Sequence, residues 1–185
     1  MCTNWFVFLR RKSGVSYIVF CISAIATFLG FCEPFGKRMR TILIFNFIGN
    51  VLVGLSYLLT ASYGGAAICS VACVQVVINY IFNSRNIAVP SKLVLVYAVV
   101  FSAVNLVTFS VWYDVFPLIA AILFVFSMVQ SETKNYRILY ALNSISWIIY
   151  DFVAQSYGNL ATHIILFVAT SIAMVVRERN SKKST

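Results

Sequence analysis

Residues 146–166 read SWIIYDFVAQSYGNLATHIIL. Two apolar runs flank a short polar stretch, AQSYGN, which marks a turn between two helices. Asp151 and His163 stand in or at the edge of those runs. Asp151 lies six residues before Tyr157 and His163 six after it. A helix rises 1.5 Å per residue, so both groups sit roughly 9 Å from the turn. Matching depth allows them to pair across the hairpin, directly or through water, and leaves open whether they do.

The rest of the chain shows what surrounds this hairpin. It has 185 residues, 61% hydrophobic and 10% charged, with a mean hydropathy of +0.90. A soluble domain carries roughly 25% charged residues. Too little polar surface is present to coat a soluble globule, so the chain reads as an integral membrane protein. An ionisable group inside the membrane is costly and marks function by default. The net charge of +9 does not suggest nucleic acid, because the basic residues are scattered among short loops.

Other chemistry finds little support. Five cysteines occur without a C-x-x-C pattern. Cys69 and Cys73 share a helix face, but no His or acid in that helix supports a metal pair. They read as packing residues, and neither a metal nor a cofactor is expected. H-E-x-x-H, G-x-S-x-G and a Gly-rich phosphate loop are all missing, so the chain is not expected to be an enzyme.

Seven spanning helices are expected, near 14–32, 41–59, 65–83, 92–110, 115–130, 137–154 and 160–177. The fifth is short, and either reaches into Ser131 or starts near Trp112. Its Pro117 falls in the first turn, where a missing N–H costs little. Residues 1–13 have basic groups ahead of an apolar run, as a signal peptide does, but the run from Gly14 is long enough to span and is read as uncleaved. Trp5, Phe6 and Phe8 beside Arg10, Arg11 and Lys12 place that first segment in the membrane interface.

Lysine and arginine counts set the orientation. Eleven of these residues share the side of the C-terminus and three lie opposite. The richer side is expected to be cytoplasmic, with the N-terminus outside. Arg10, Arg11 and Lys12 dissent.

A shift of 94 residues aligns Ser62-Tyr63-Gly64 with Ser156-Tyr157-Gly158, and Arg85-Asn86 with Arg179-Asn180. Eight of 31 positions from 56 to 86 are identical, without a gap. The chain therefore reads as an all-α membrane protein of two parallel three-helix repeats joined by a linker helix, a 3+1+3 plan. The segments are 1–13 interfacial, 14–86 first repeat, 87–112 linker with helix 4, 113–178 second repeat and 179–185 basic cytoplasmic tail. Repeated transporters place their sites near the midplane at the repeat interface.

This plan resembles the SWEET sugar transporters, the half-size semiSWEETs and the PnuC-type vitamin transporters. It is most similar to the YgjV-like bacterial inner-membrane proteins, from about Gly14 to Glu178. The residues that carry the likeness are SYGG between helices 2 and 3, VFPLIAAI at the entry to helix 5, and SWIIYDFVAQSYGN. The resemblance implies a bacterial inner-membrane location and passage of a small polar metabolite by alternating access. In the SWEET group a Trp and an Asn sixteen positions later line the pocket. The corresponding pairs here are Trp147 with His163, and Val53 with Cys69. The Pro-Gln dipeptide of the related PQ-loop proteins is missing, and so are most hinge prolines of SWEETs, which leaves Gly49 and Gly54 as candidate bends in helix 2.

Helical spacing then defines candidate site residues. Asn143, Trp147, Tyr150 and Asp151 share a face of helix 6. Asn46, Asn50 and Tyr57 form a stripe on helix 2, and Gln75 with Asn79 on helix 3. Facing stripes would surround a wet pocket. The competing role is interhelical hydrogen bonding, worth about 0.6 kcal/mol per contact. The expected substrate-binding set is Asn46, Asn50, Tyr57, Gln75, Asn79, Asn143, Trp147, Tyr150 and His163. Asp151 and His163 would gate or sense protons, since histidine titrates near neutrality. The expected partners are the lipid bilayer and a small-molecule substrate that is sugar-, nucleoside- or vitamin-like. A full-length duplication makes a monomer sufficient and leaves a homo-oligomer open. The alternative is a non-transporting membrane protein that binds a lipid or protein partner through its basic tail, VRERNSKKST.

Overall fold

The structure is a computed structural model. It describes the backbone of residues 3–59, 63–107, 109, 111–153 and 157–182, and side chains within 17–56, 58–59, 66–107, 109, 111–153 and 160–177. Among these residues it contains seven α-helices and no strand: α1 (Thr3–Cys32), α2 (Met39–Leu59), α3 (Tyr63–Ser84), α4 (Ser91–Val107), α5 (Val115–Met128), α6 (Thr133–Val153) and α7 (Tyr157–Lys182). Short 3-10 turns at Glu33–Phe35 and Trp112–Asp114 precede α2 and α5. A helix satisfies its backbone polar groups within one segment, which lipid requires.

Four stretches are long and apolar enough to cross a bilayer: Tyr17–Phe35, Met39–Ser56, Ala66–Ser84 and Leu160–Arg177. Ser91–Val107 and Trp112–Met128 are apolar but shorter. The fifth helix thus gains its length at the Trp112 end and stops at Met128, short of Ser131. Helix α6 differs in kind. It buries Tyr136, Arg137, Asn143, Ser144, Ser146 and Asp151, so it is too polar to read as a span by composition. It can be polar because α5 and α7 cover it.

The helix ends follow local chemistry. Helix α1 begins at Thr3 instead of near Gly14, because Arg10, Arg11 and Lys12 are good helix formers and do not break the ladder. Helix α3 ends in a Schellman motif. Asn86 takes φ 55°, Asn86 N–H donates to Asn83 O at 3.1 Å, and Ile87 N–H donates to Phe82 O at 3.0 Å. Asp114 Oδ2 accepts the Val111 N–H at 2.9 Å and closes the turn into α5.

Packing divides the bundle into halves. Helix α2 contacts α1 and α3, and α6 contacts α5 and α7. Helix α4 rests mainly on α5, and α1 also meets α7. One core cluster joins Met39, Ile42 and Leu43 to Val76, Met128, Tyr136 and Tyr140. A second joins Ala72 to Tyr97, Phe101, Ala121 and Val125. Large apolar side chains such as Phe20, Phe28, Leu95 and Val99 face outward, while Glu33, Gln75, Asn79, Arg137 and Asp151 are inside. That inverts a soluble protein and suits a lipid surround.

Helix α2 runs unbroken through Gly49 and Gly54. Gly54 marks a close approach instead, since a Cβ there would stand 3.2 Å from Cys69 Cβ on α3.

Candidate functional site

Asp151 and His163, whose pairing equal depth allowed and left open, meet across the α6–α7 hairpin. His163 Nδ1 lies 2.6 Å from Asp151 Oδ2, and the two side chains are 22% and 2% exposed. An ionised carboxylate only accepts hydrogen bonds, so beside an ionised Asp151 the imidazole donates through Nδ1.

Aromatic contacts hold the imidazole. Trp147 stacks on His163 with ring centroids 5.3 Å apart and planes 8° from parallel. Tyr150 meets Trp147 edge-on at 5.8 Å, Tyr113 meets Tyr150 at 5.9 Å, and Trp112 meets Tyr113 at 5.7 Å. The rings form a continuous chain from the turn before α5, through α6, to α7. Trp147 and His163, singled out by their sixteen-residue spacing, therefore touch each other. One face of Trp147 is occupied by the imidazole.

The polar stripe on α2 leads elsewhere. Asn50 Nδ2 donates to Asn46 Oδ1 at 2.8 Å, and Asn46 Nδ2 donates to Glu33 Oε1 at 3.0 Å. The same Oε1 accepts the Tyr136 hydroxyl at 2.5 Å. Glu33 is 2% exposed. Its turn leaves backbone carbonyls without helical partners, and two arginines take them. Arg137 donates to Pro34 O at 2.7 Å and Gly36 O at 2.9 Å, and Arg177 donates to Phe35 O at 2.6 Å. The planar guanidinium suits such paired acceptors. Arg137 and Arg177 are thus clamps between the halves rather than freely solvated charges.

This hub was missed from sequence. Glu33 is one of five acids in the chain, and its rarity in an apolar protein was the available signal. It stands between the expected first and second helices, so no helix-face stripe included it.

The α3 stripe faces α5. Gln75 Nε2 approaches Val125 O at 3.4 Å, and Asn79 Nδ2 donates to Met128 O at 3.0 Å. The other amide atoms, Gln75 Oε1 and Asn79 Oδ1, are buried without a partner among the described residues. Asn143 Nδ2 donates to Ala120 O at 2.7 Å, within the second half. The candidate residues therefore occupy four places: the aromatic chain with Asp151 and His163, the Glu33 hub, the α3–α5 seam, and the α5–α6 contact at Asn143. Tyr57, the Ser-Tyr-Gly turns and the basic tail from Arg179 have side chains outside the described residues.

A family model, Imp-YgjV, described as a bacterial inner membrane protein, matches residues 17–181. No curated protein and no solved structure matches the chain.

Proposed function

The chain belongs to the Imp-YgjV family of bacterial inner membrane proteins, and we propose that it is a transporter moving a small polar metabolite by alternating access. The observation that carries this proposal is the placement of polar groups inside the bundle with hydrogen-bonding capacity left over. Gln75 Oε1 and Asn79 Oδ1 are buried acceptors at the seam between the halves, without partners among the described residues. A purely structural amide tends to satisfy both its ends. The Asp151–His163 pair adds a titratable group at the other end of the bundle, suited to gating or proton coupling.

Two parallel three-helix repeats are part of the proposal. Each half has its middle helix packed on both neighbours. The 94-residue shift relates α3 to α7 and α5 to α1. It thereby maps the α3–α5 hydrogen bonds onto the observed α1–α7 contact. That agreement supports a pseudo-twofold axis between the halves. The site would lie along it, with the Arg137 end cytoplasmic by the excess of basic residues there. Trp147 would contribute its second face, and Asn143 and Asn79 would bond substrate groups. No catalytic step is assigned.

A thermal-shift panel on the detergent-purified protein tests the proposal. Sugars, nucleosides, B vitamins and polyamines would be run beside Trp147→Ala. Ligand at a hundredfold excess over its Kd stabilises the native state by about 2.7 kcal/mol. The expected result is a shift from one compound class that Trp147→Ala abolishes. A cooperative protein that shifts with none of them, and shows no flux in liposomes, would refute it.

A further inference from the structure

At the basic end of the bundle a cleft of about 580 Å³ opens between the halves. That volume falls within the range of small-molecule sites, about 300–1,000 Å³. Lys37, Arg38 and Arg40 line one side, and Ser131, Glu132, Thr133 and Lys134 line the other, so four cations stand against one carboxylate. These two loops, 37–40 and 131–134, are related by the same 94-residue shift.

The cations are not equivalent. Arg40 is engaged, donating to Asn83 O, Ser84 O and Asn86 Oδ1 at 3.2, 3.1 and 3.4 Å, where it caps the end of α3. The side chains of Lys37 and Arg38 are exposed on the cleft and have no hydrogen-bond or ion-pair partner among the described residues.

Behind this mouth lies a second space of about 10 Å³, which shares Met39, Asn83 and Ser131 with the cleft. It has room for one water or hydroxyl. Asn79 lines it, is 1% exposed, and keeps its Oδ1 without a partner among the described residues. The cleft thus offers cations at its mouth and an unpaired acceptor at its floor. A simple anion would use the first and leave the second unmet.

We propose that this cleft binds a phosphate ester that carries a free hydroxyl, with the phosphate on Lys37, Arg38 and Lys134 and the hydroxyl donating to Asn79 Oδ1. A guanidinium fork matches phosphate oxygens and a lysine adds point charge. This chemistry is shared by a soluble glycerol phosphate and by the headgroup of phosphatidylglycerol. The site stands whether or not the protein transports.

The test uses the full chain in a neutral detergent. Glycerol 3-phosphate is titrated by calorimetry, and phosphatidylglycerol is titrated in mixed micelles and read by native mass spectrometry. Each is compared with its hydroxyl-free counterpart, propyl phosphate or phosphatidylpropanol. One of the two hydroxylated probes is expected to saturate at a single site per chain, and which one does identifies the source. Its Kd should rise at least tenfold in the Lys37→Gln/Arg38→Gln variant. It should stay unchanged in Arg85→Gln/Lys92→Gln, two exposed cations outside the cleft. The hydroxyl-free counterpart should bind at least tenfold more weakly, a comparison that leaves the fold untouched. Failure of both probes to saturate, equal weakening by the two charge-removing pairs, or equal binding without the hydroxyl would each overturn the proposal.

Discussion

His163→Ala is expected to destabilise the protein more than Asp151→Ala, and the two losses are expected not to add. The asymmetry comes from burial. Asp151 is 2% exposed and His163 is 22% exposed. Removing the imidazole leaves a buried carboxylate facing an empty site. Breaking a buried pair from one side costs about 3–5 kcal/mol. Trp147 also loses the ring stacked on it at 5.3 Å, worth about 0.5–1.5 kcal/mol. Removing Asp151 instead leaves a histidine that reaches water, so only the charge-assisted hydrogen bond is lost, about 1.5–3 kcal/mol. In the double variant no charge is orphaned. It should therefore be more stable than the sum of the single losses by roughly 1.5–3 kcal/mol. Equilibrium unfolding of all four proteins in mixed micelles measures the cycle. Additivity within about 0.5 kcal/mol would mean that the two side chains do not interact, and the hairpin geometry would be wrong.

Three further outcomes are expected. Arg137→Gln deprives Pro34 O and Gly36 O of their donors and should cost about 2–4 kcal/mol, whereas Tyr136→Phe, which removes one of Glu33's two donors, should cost about 1.5–3 kcal/mol; the same unfolding assay ranks them, and a loss below 0.5 kcal/mol for Arg137→Gln would dismiss the clamp. Gly54→Leu must push α2 from α3 at Cys69 and should cost about 1–3 kcal/mol, while Gly49→Ala, whose Cβ meets nothing within 4 Å, should be neutral or slightly stabilising. An alkaline phosphatase fused at the C-terminus should be inactive, because it requires the oxidising outer side; activity there would reverse the assigned orientation.

The legible part of the site was the part that local periodicity controls. Asp151 and His163 are twelve positions apart on one hairpin, and a turn with 1.5 Å rise sets their depth. Their equal depth followed from counting residues. Trp147 and His163 were linked only by the sixteen-residue spacing that the resemblance to SWEETs implies. Asn46 and Asn50 were correctly placed on one face of α2, but not their target. The face points to Glu33, thirteen and more residues away, in the turn that precedes α2. Arg137 and Arg177 counted as orientation signals because a topology count uses only charge. Their carbonyl partners belong to a segment more than a hundred residues earlier, and no periodicity reaches that far.

Sequence alone therefore determined the solvent of this protein and the existence of its helices, since apolar content and run length settle burial in lipid without reference to any partner. It also determined which residues share a helix face, because a helix repeats every 3.6 residues whatever surrounds it. Tertiary structure alone decided what those faces meet. Which loop Arg137 clamps, which carbonyl Asn79 bonds and which of its atoms stays unpaired depend on how whole helices dock. Docking in lipid is set by shape and by a few polar contacts of small individual energy, summed over the bundle, and no single stretch of sequence carries that sum.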